Sequence, residues 1–75
     1  MSIRAMSVLD KIRVLNAGAT FEVSARGTSV LDLIRLATAA NQGGGQLTVT
    51  DVEGVSVLDL IRIASAAPGK ITLKD

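Results

Sequence analysis

The tetrapeptide Ser-Val-Leu-Asp stands three times in 75 residues, at Ser7–Asp10, Ser29–Asp32 and Ser56–Asp59. Each copy runs on to Ile-Arg, giving SVLDKIR, SVLDLIR and SVLDLIR. Self-similarity at a spacing of 20–50 residues is the mark of repeat architectures, in which one supersecondary unit is stacked several times. The intervals here are 22 residues, Ser7 to Ser29, and 27, Ser29 to Ser56.

Each copy reads as a helix start. The Ser hydroxyl can accept a hydrogen bond from the amide three residues on, and the Asp at that third position sits near the positive end of the helix dipole. Asp10, Asp32 and Asp59 also precede Arg13, Arg35 and Arg62 by three residues, a spacing that brings side chains together on one helix face. The pairs read as exposed ion pairs, worth about 0.5 kcal/mol or less each, rather than as a charged binding ladder. Likewise the serines read as caps and not as nucleophiles.

The helices stop at small and turn-forming residues: NAGA, AANQGGG and AAPGK. Gly suits the left-handed C-terminal cap, and Pro68 cannot continue a helix. Short alternating runs follow, TFEVS, QLTVTD and ITLKD. Phe21, Val23, Leu47, Val49, Ile71 and Leu73 point one way, and Thr20, Glu22, Thr48, Thr50, Thr72 and Lys74 the other. The predicted fold is therefore α/β: three tandem helix–strand repeats forming a small parallel-sheet, solenoid-like layer. Residues 1–75 make one domain, with units at about 7–28, 29–55 and 56–75, and residues 1–6 supply a short leading strand. The extra length of the second unit is assigned to NQGGGQ as a dispensable surface loop. This alternation resembles leucine-rich repeats in architecture alone, because their pattern with its Asn turn is missing.

Stepping about 100° per residue along each helix gives two apolar stripes. Val30, Ile34 and Ala37 form the one expected to face the sheet; Leu33, Leu36 and Ala40 form a second beside it, as do Leu60, Ile63 and Ala67. A surface helix needs a single stripe, so helices of this kind are expected to have helices as neighbours. Lys11 stands where Leu33 and Leu60 stand, which suits an end unit with water beside it. The last unit makes no such concession.

Composition narrows the function. The chain has no Cys, His, Tyr or Trp and a single Phe. Disulfides are excluded, a conventional zinc site has no ligands to use, and no cofactor or metal is implied. The only bases for a Ser nucleophile are Lys11, Lys70 and Lys74, and no catalytic residue is assigned. The Gly-rich 43–45 stretch leads from helix to strand, the wrong polarity for a phosphate loop; ARGTS, at 25–29, runs from strand to helix and reads as a plain turn. Eight basic and seven acidic residues leave a net charge of +1. Without a basic block, nucleic-acid binding through Arg4, Arg26, Lys70 and Lys74 ranks low, and no small-molecule substrate is evident. No apolar run reaches the roughly 18 residues of a membrane helix, and the expected setting is cytoplasmic.

What remains is an aliphatic problem. Apolar residues make up 48% of the chain, and a domain this small buries only about 60% of its unfolded surface. Oligomerisation is the remedy left open. The expected function is a non-enzymatic structural protein that self-associates through its repeat edges into a homo-oligomer or filament, by way of Leu58, Leu60, Ile63, Ile71 and Leu73. The alternative is a small interaction module that binds another protein through its open strand edge or its Thr-rich face.

Overall fold

The structure is a computed structural model and describes residues 2–75. Helix and strand alternate along the chain: α1 (Val8–Asn16), β1 (Phe21–Ser24), α2 (Val30–Gly43), β2 (Leu47–Thr50), α3 (Val57–Ser65) and β3 (Ile71–Leu73). The three strands form one parallel sheet in the order β1-β2-β3. Phe21 lies beside Leu47 and Leu47 beside Ile71, so the apolar residues of the three strands stand in rows. Val23, Leu47 and Val49 join Leu15, Leu33, Leu36 and Ile63 in one buried cluster. The alternate strand residues Glu22, Thr48, Thr50 and Thr72 are exposed or half-buried and carry no helix layer. The small α/β fold with a polar second sheet face is thus as expected from the alternation.

Each SVLD copy starts a helix. Ser7, Ser29 and Ser56 are extended in backbone, and their hydroxyls accept from the amides of Asp10, Asp32 and Asp59 at 3.1, 3.1 and 3.2 Å. The carboxylates meet the arginines three residues on, at 3.7, 3.5 and 3.1 Å for Asp10–Arg13, Asp32–Arg35 and Asp59–Arg62. All three arginine side chains are more than half exposed, which keeps the contribution of these pairs small.

Three expectations are corrected. First, residues 1–6 supply no strand among the described residues: Ile3–Ala5 is a 3₁₀ turn, capped by the Ser2 hydroxyl, which accepts from the Ala5 amide. It has a counterpart at Val52–Gly54, immediately before α3. The likeness reaches back five residues from the capping Ser, through SIRAMS, SARGTS and DVEGVS. The repeat therefore begins earlier than the SVLD motif, and a stretch that fits a strand in isolation is a turn in every unit.

Second, NQGGGQ is not a protruding loop. The additional residues of the second unit lengthen α2 to fourteen residues, against nine in α1 and α3. Gly44, with φ at 82°, is the left-handed cap that ends it. Gly43 lies so close to α1 that a Cβ there would collide with the Leu15 carbonyl oxygen, and one on the buried Gly45 would collide with that of Ala19. The glycines permit backbone contact between the first and second units, a use that a side chain excludes.

Third, the two helix stripes do not divide as expected into one on the sheet and one beside it. Leu33, Leu36 and Ala40 are fully buried, as are Ile63 and Ala67 at matching positions of the third unit, whereas of the other stripe Ala37 is fully buried and Val30 and Ile34 only half-buried. Helix α2 packs against both α1 and α3. Among the described residues it is the one helix with a helix on each flank, and it supplies five of their twelve buried apolar side chains.

Candidate association surfaces

The last unit leaves an apolar flank uncovered. Val57 and Ile61 are 72% and 55% exposed, whereas Val8 and Ile12 in α1, and Val30 and Ile34 in α2, hold the same two positions half-buried. Sequence and register are shared among these three pairs, so the difference lies in the neighbourhood. Each earlier helix has a following helix beside it, and α3 has none.

Of the residues expected to mediate association, the structure brings only part to this surface. Leu58 is 58% exposed, but so are Leu9 and Leu31 at the matching positions. Its exposure belongs to the outer side of every helix and is not particular to the end unit. Leu60 is half-buried and packs against the core. Ile63 is fully buried and is withdrawn from any surface role. The helix stripe expected to point outward from the last unit points inward at Ile63, and the open positions of α3 are instead Val57 and Ile61. Ile71 is half-buried against the core, and Leu73 is exposed at the end of β3. Among the described residues β3 has β2 as its only strand neighbour, which makes it an edge of the sheet.

At the opposite side of the sheet, β1 is equally an edge. A groove of about 410 Å³ follows it, and its lining includes Ile3, Lys11, Glu22, Val23, Ser24 and Arg26. Lys11 is half-buried and Glu22 exposed. On the α1 flank above the edge, Lys11, Val14 and Gly18 hold the positions of Leu33, Leu36 and Ala40. The two ends of the sheet thus differ: aliphatic at α3, and aliphatic with one cation at α1.

A polar cluster sits where β1 and β2 end. The Ser24 hydroxyl donates to Asp51 Oδ2 at 2.6 Å, and the Thr50 hydroxyl lies 3.1 Å from the same oxygen. Ser24 Oγ also accepts from the Arg26 amide, and Arg26 reaches Glu53 at 3.9 Å. These contacts join one strand-to-helix connection to the next. Asp51 is the non-glycine residue with positive φ, at 59°; Asp tolerates that region because its short polar side chain bonds locally. Lys11 and Ser24 line the same groove, but the Ser24 proton goes to Asp51. No group of acidic or other ligating side chains suited to a metal occurs among the described residues. Lys70 Nζ donates to the Asn41 carbonyl at 3.4 Å, tying the approach to β3 to the last turn of α2. The side chain of Arg4, named among the cations of a nucleic-acid surface, lies outside what the structure describes.

No helix among the described residues is long and apolar enough to cross a membrane. Compared with known proteins, the chain matches no family, no curated protein and no solved structure.

Proposed function

We propose that the chain is a non-enzymatic structural protein, a short solenoid-like α/β layer that self-associates through the edges of its repeat. A cytoplasmic setting goes with this reading and with the absence of Cys. The observation that carries it is the contrast at one pair of positions: Val57 and Ile61 stand open, whereas Val8, Ile12, Val30 and Ile34 are half-buried.

The extent of the surface does not call for a partner. A folded chain of 7.7 kDa is expected to expose about 4300 Å², and this one exposes 4411 Å². Its composition does. Among the described residues seven large apolar side chains are exposed, and two of them, Val57 and Ile61, hold positions that are exposed in α3 alone of the three helices. Covering such side chains contributes about 25 cal/mol per Å² of apolar area removed from water. The unpaired edge of β3 adds backbone donors and acceptors that a further strand would satisfy.

Sedimentation velocity on the wild type and on Ile61→Lys, from one to a hundred micromolar, tests the proposal. The wild type is expected to sediment increasingly as oligomers while the variant stays monomeric with unchanged far-UV circular dichroism. Leu60 is a poorer choice for that substitution, since its side chain packs against the core and its loss would alter the interior as well as the flank. If the wild type remains monomeric throughout, self-association fails, and the small interaction module that binds a different protein through the same edge takes its place.

A further inference from the structure

We infer that the occupant of the α3–β3 surface is the first unit of a second copy, docked head to tail with its β1 parallel to β3. This rests on the self-association reading and adds the polarity of the contact. Two-fold pairing of like ends and head-to-tail pairing of unlike ends lead to different assemblies: the first closes as a dimer, and the second grows unless its rotation closes a ring.

The chain itself contains the pattern for the contact. The face that α3 leaves open is covered on α1 and on α2 by the following unit, which brings a helix and a parallel strand together. Continuing the register in which Leu47 lies beside Ile71 and Thr48 beside Thr72 sets Phe21, Glu22 and Val23 of the next copy beside Ile71, Thr72 and Leu73. Apolar residues then meet apolar residues on the helix side. The flank arriving on Val57 and Ile61 is that of Lys11, Val14 and Gly18. Lys11 is accommodated because the corresponding Leu60 keeps partial exposure while packed against the core. A lysine there lays its methylenes on apolar surface and keeps its ammonium in water.

Charge selects between the two polarities. The polar side of the β1 edge carries Glu22, and that of the β3 edge carries Lys74; both are exposed. In the continued register Glu22 falls beside Thr72 and one diagonal step from Lys74, within the range over which opposite charges on neighbouring strands attract. Two β3 edges paired about a two-fold axis instead bring Lys74 of both copies to one seam, and two β1 edges bring Glu22 to Glu22. At these two positions unlike ends attract and like ends repel.

The test is a charge-reversal cycle read by sedimentation and light scattering in low salt: wild type, Glu22→Lys, Lys74→Glu and the double variant. Both positions are exposed, and far-UV circular dichroism checks that each variant is folded. Head-to-tail docking predicts growth beyond dimers in the wild type. Each single reversal should raise the concentration of half-assembly three- to tenfold, and the double variant should return to within about twofold of the wild type. A wild type that stops at dimers, with Lys74→Glu strengthening assembly and Glu22→Lys leaving it unchanged, overturns the inference and leaves self-association standing. A wild type that is monomeric at every concentration overturns both.

Discussion

A few single residues set how this backbone starts and turns. The three capping serines act through one bond each, which an exposed hydroxyl accepts from the backbone amide three residues on. Replacing Ser29 with Ala should lower stability by about 1 kcal/mol, read as a shift of the urea midpoint at constant slope; no shift would refute the cap. Asp51 combines a left-handed backbone with two hydroxyl neighbours, Ser24 and Thr50. Ala tolerates neither demand, whereas Asn retains an acceptor and the local bonding that makes this region accessible. Asp51→Ala is therefore expected to be destabilising by about 2 kcal/mol, and Asp51→Asn by clearly less. Equal losses in the two variants would show that neither the conformation nor the Ser24 bond matters there.

Among the elements, α2 is the one on which the others depend, because it has a helix on each side and ends against the backbone of α1. Adjacent glycines at that end make opposite predictions from those their φ angles suggest. Gly44 has φ at 82°, and a Cβ there meets nothing within 4 Å, so Gly44→Ala should cost only the roughly 1–2 kcal/mol of placing an L-residue in the left-handed region. Gly43 is helical, yet its Cβ would collide with the Leu15 carbonyl oxygen. Separating α1 from α2 should cost about 3 kcal/mol or more. Thermal melts of the two variants rank them, and a Gly43→Ala protein as stable as Gly44→Ala would mean that the close approach is absent. Trimming residues 41–45 to two should unfold the protein or loosen it, since this segment ends α2 and packs on the first unit.

For the molecule as a whole, the two ends of the sheet differ in their side chains. The interior junctions are aliphatic on both sides, and the first unit alone carries a cation, Lys11, at a position where the other units carry Leu. On the head-to-tail reading this cation weakens the contact between copies without abolishing it. Lys11→Leu should then lower the concentration of half-assembly about tenfold, as followed by light scattering, because a side chain that must keep its ammonium in water is replaced by the wholly apolar one that Leu33 and Leu60 place at such a junction. Unchanged assembly after this substitution would remove Lys11 from the interface.

The sequence by itself determined the local events. A capping Ser before an apolar run, alternation in the strands and Gly or Pro after each helix act within a few residues, and the helix starts and the three strands lie where those signals place them. Repetition then disclosed three like units, although their upstream halves, SIRAMS, SARGTS and DVEGVS, were legible and overlooked. Which stripe of each helix faces inward was settled only in three dimensions. Both stripes are aliphatic, so hydropathy does not rank them; the sheet and the neighbouring helices do, burying Ile63 and leaving Val57 and Ile61 open. The glycines after α2 follow the same logic. A local reading sees flexibility in three of them, whereas the backbone at the end of α1 and just after it, nearly thirty residues earlier in the chain, requires two of them to lack a side chain. Tertiary structure decides such points because burial and close approach are relations between segments, and each segment alone is compatible with more than one of them.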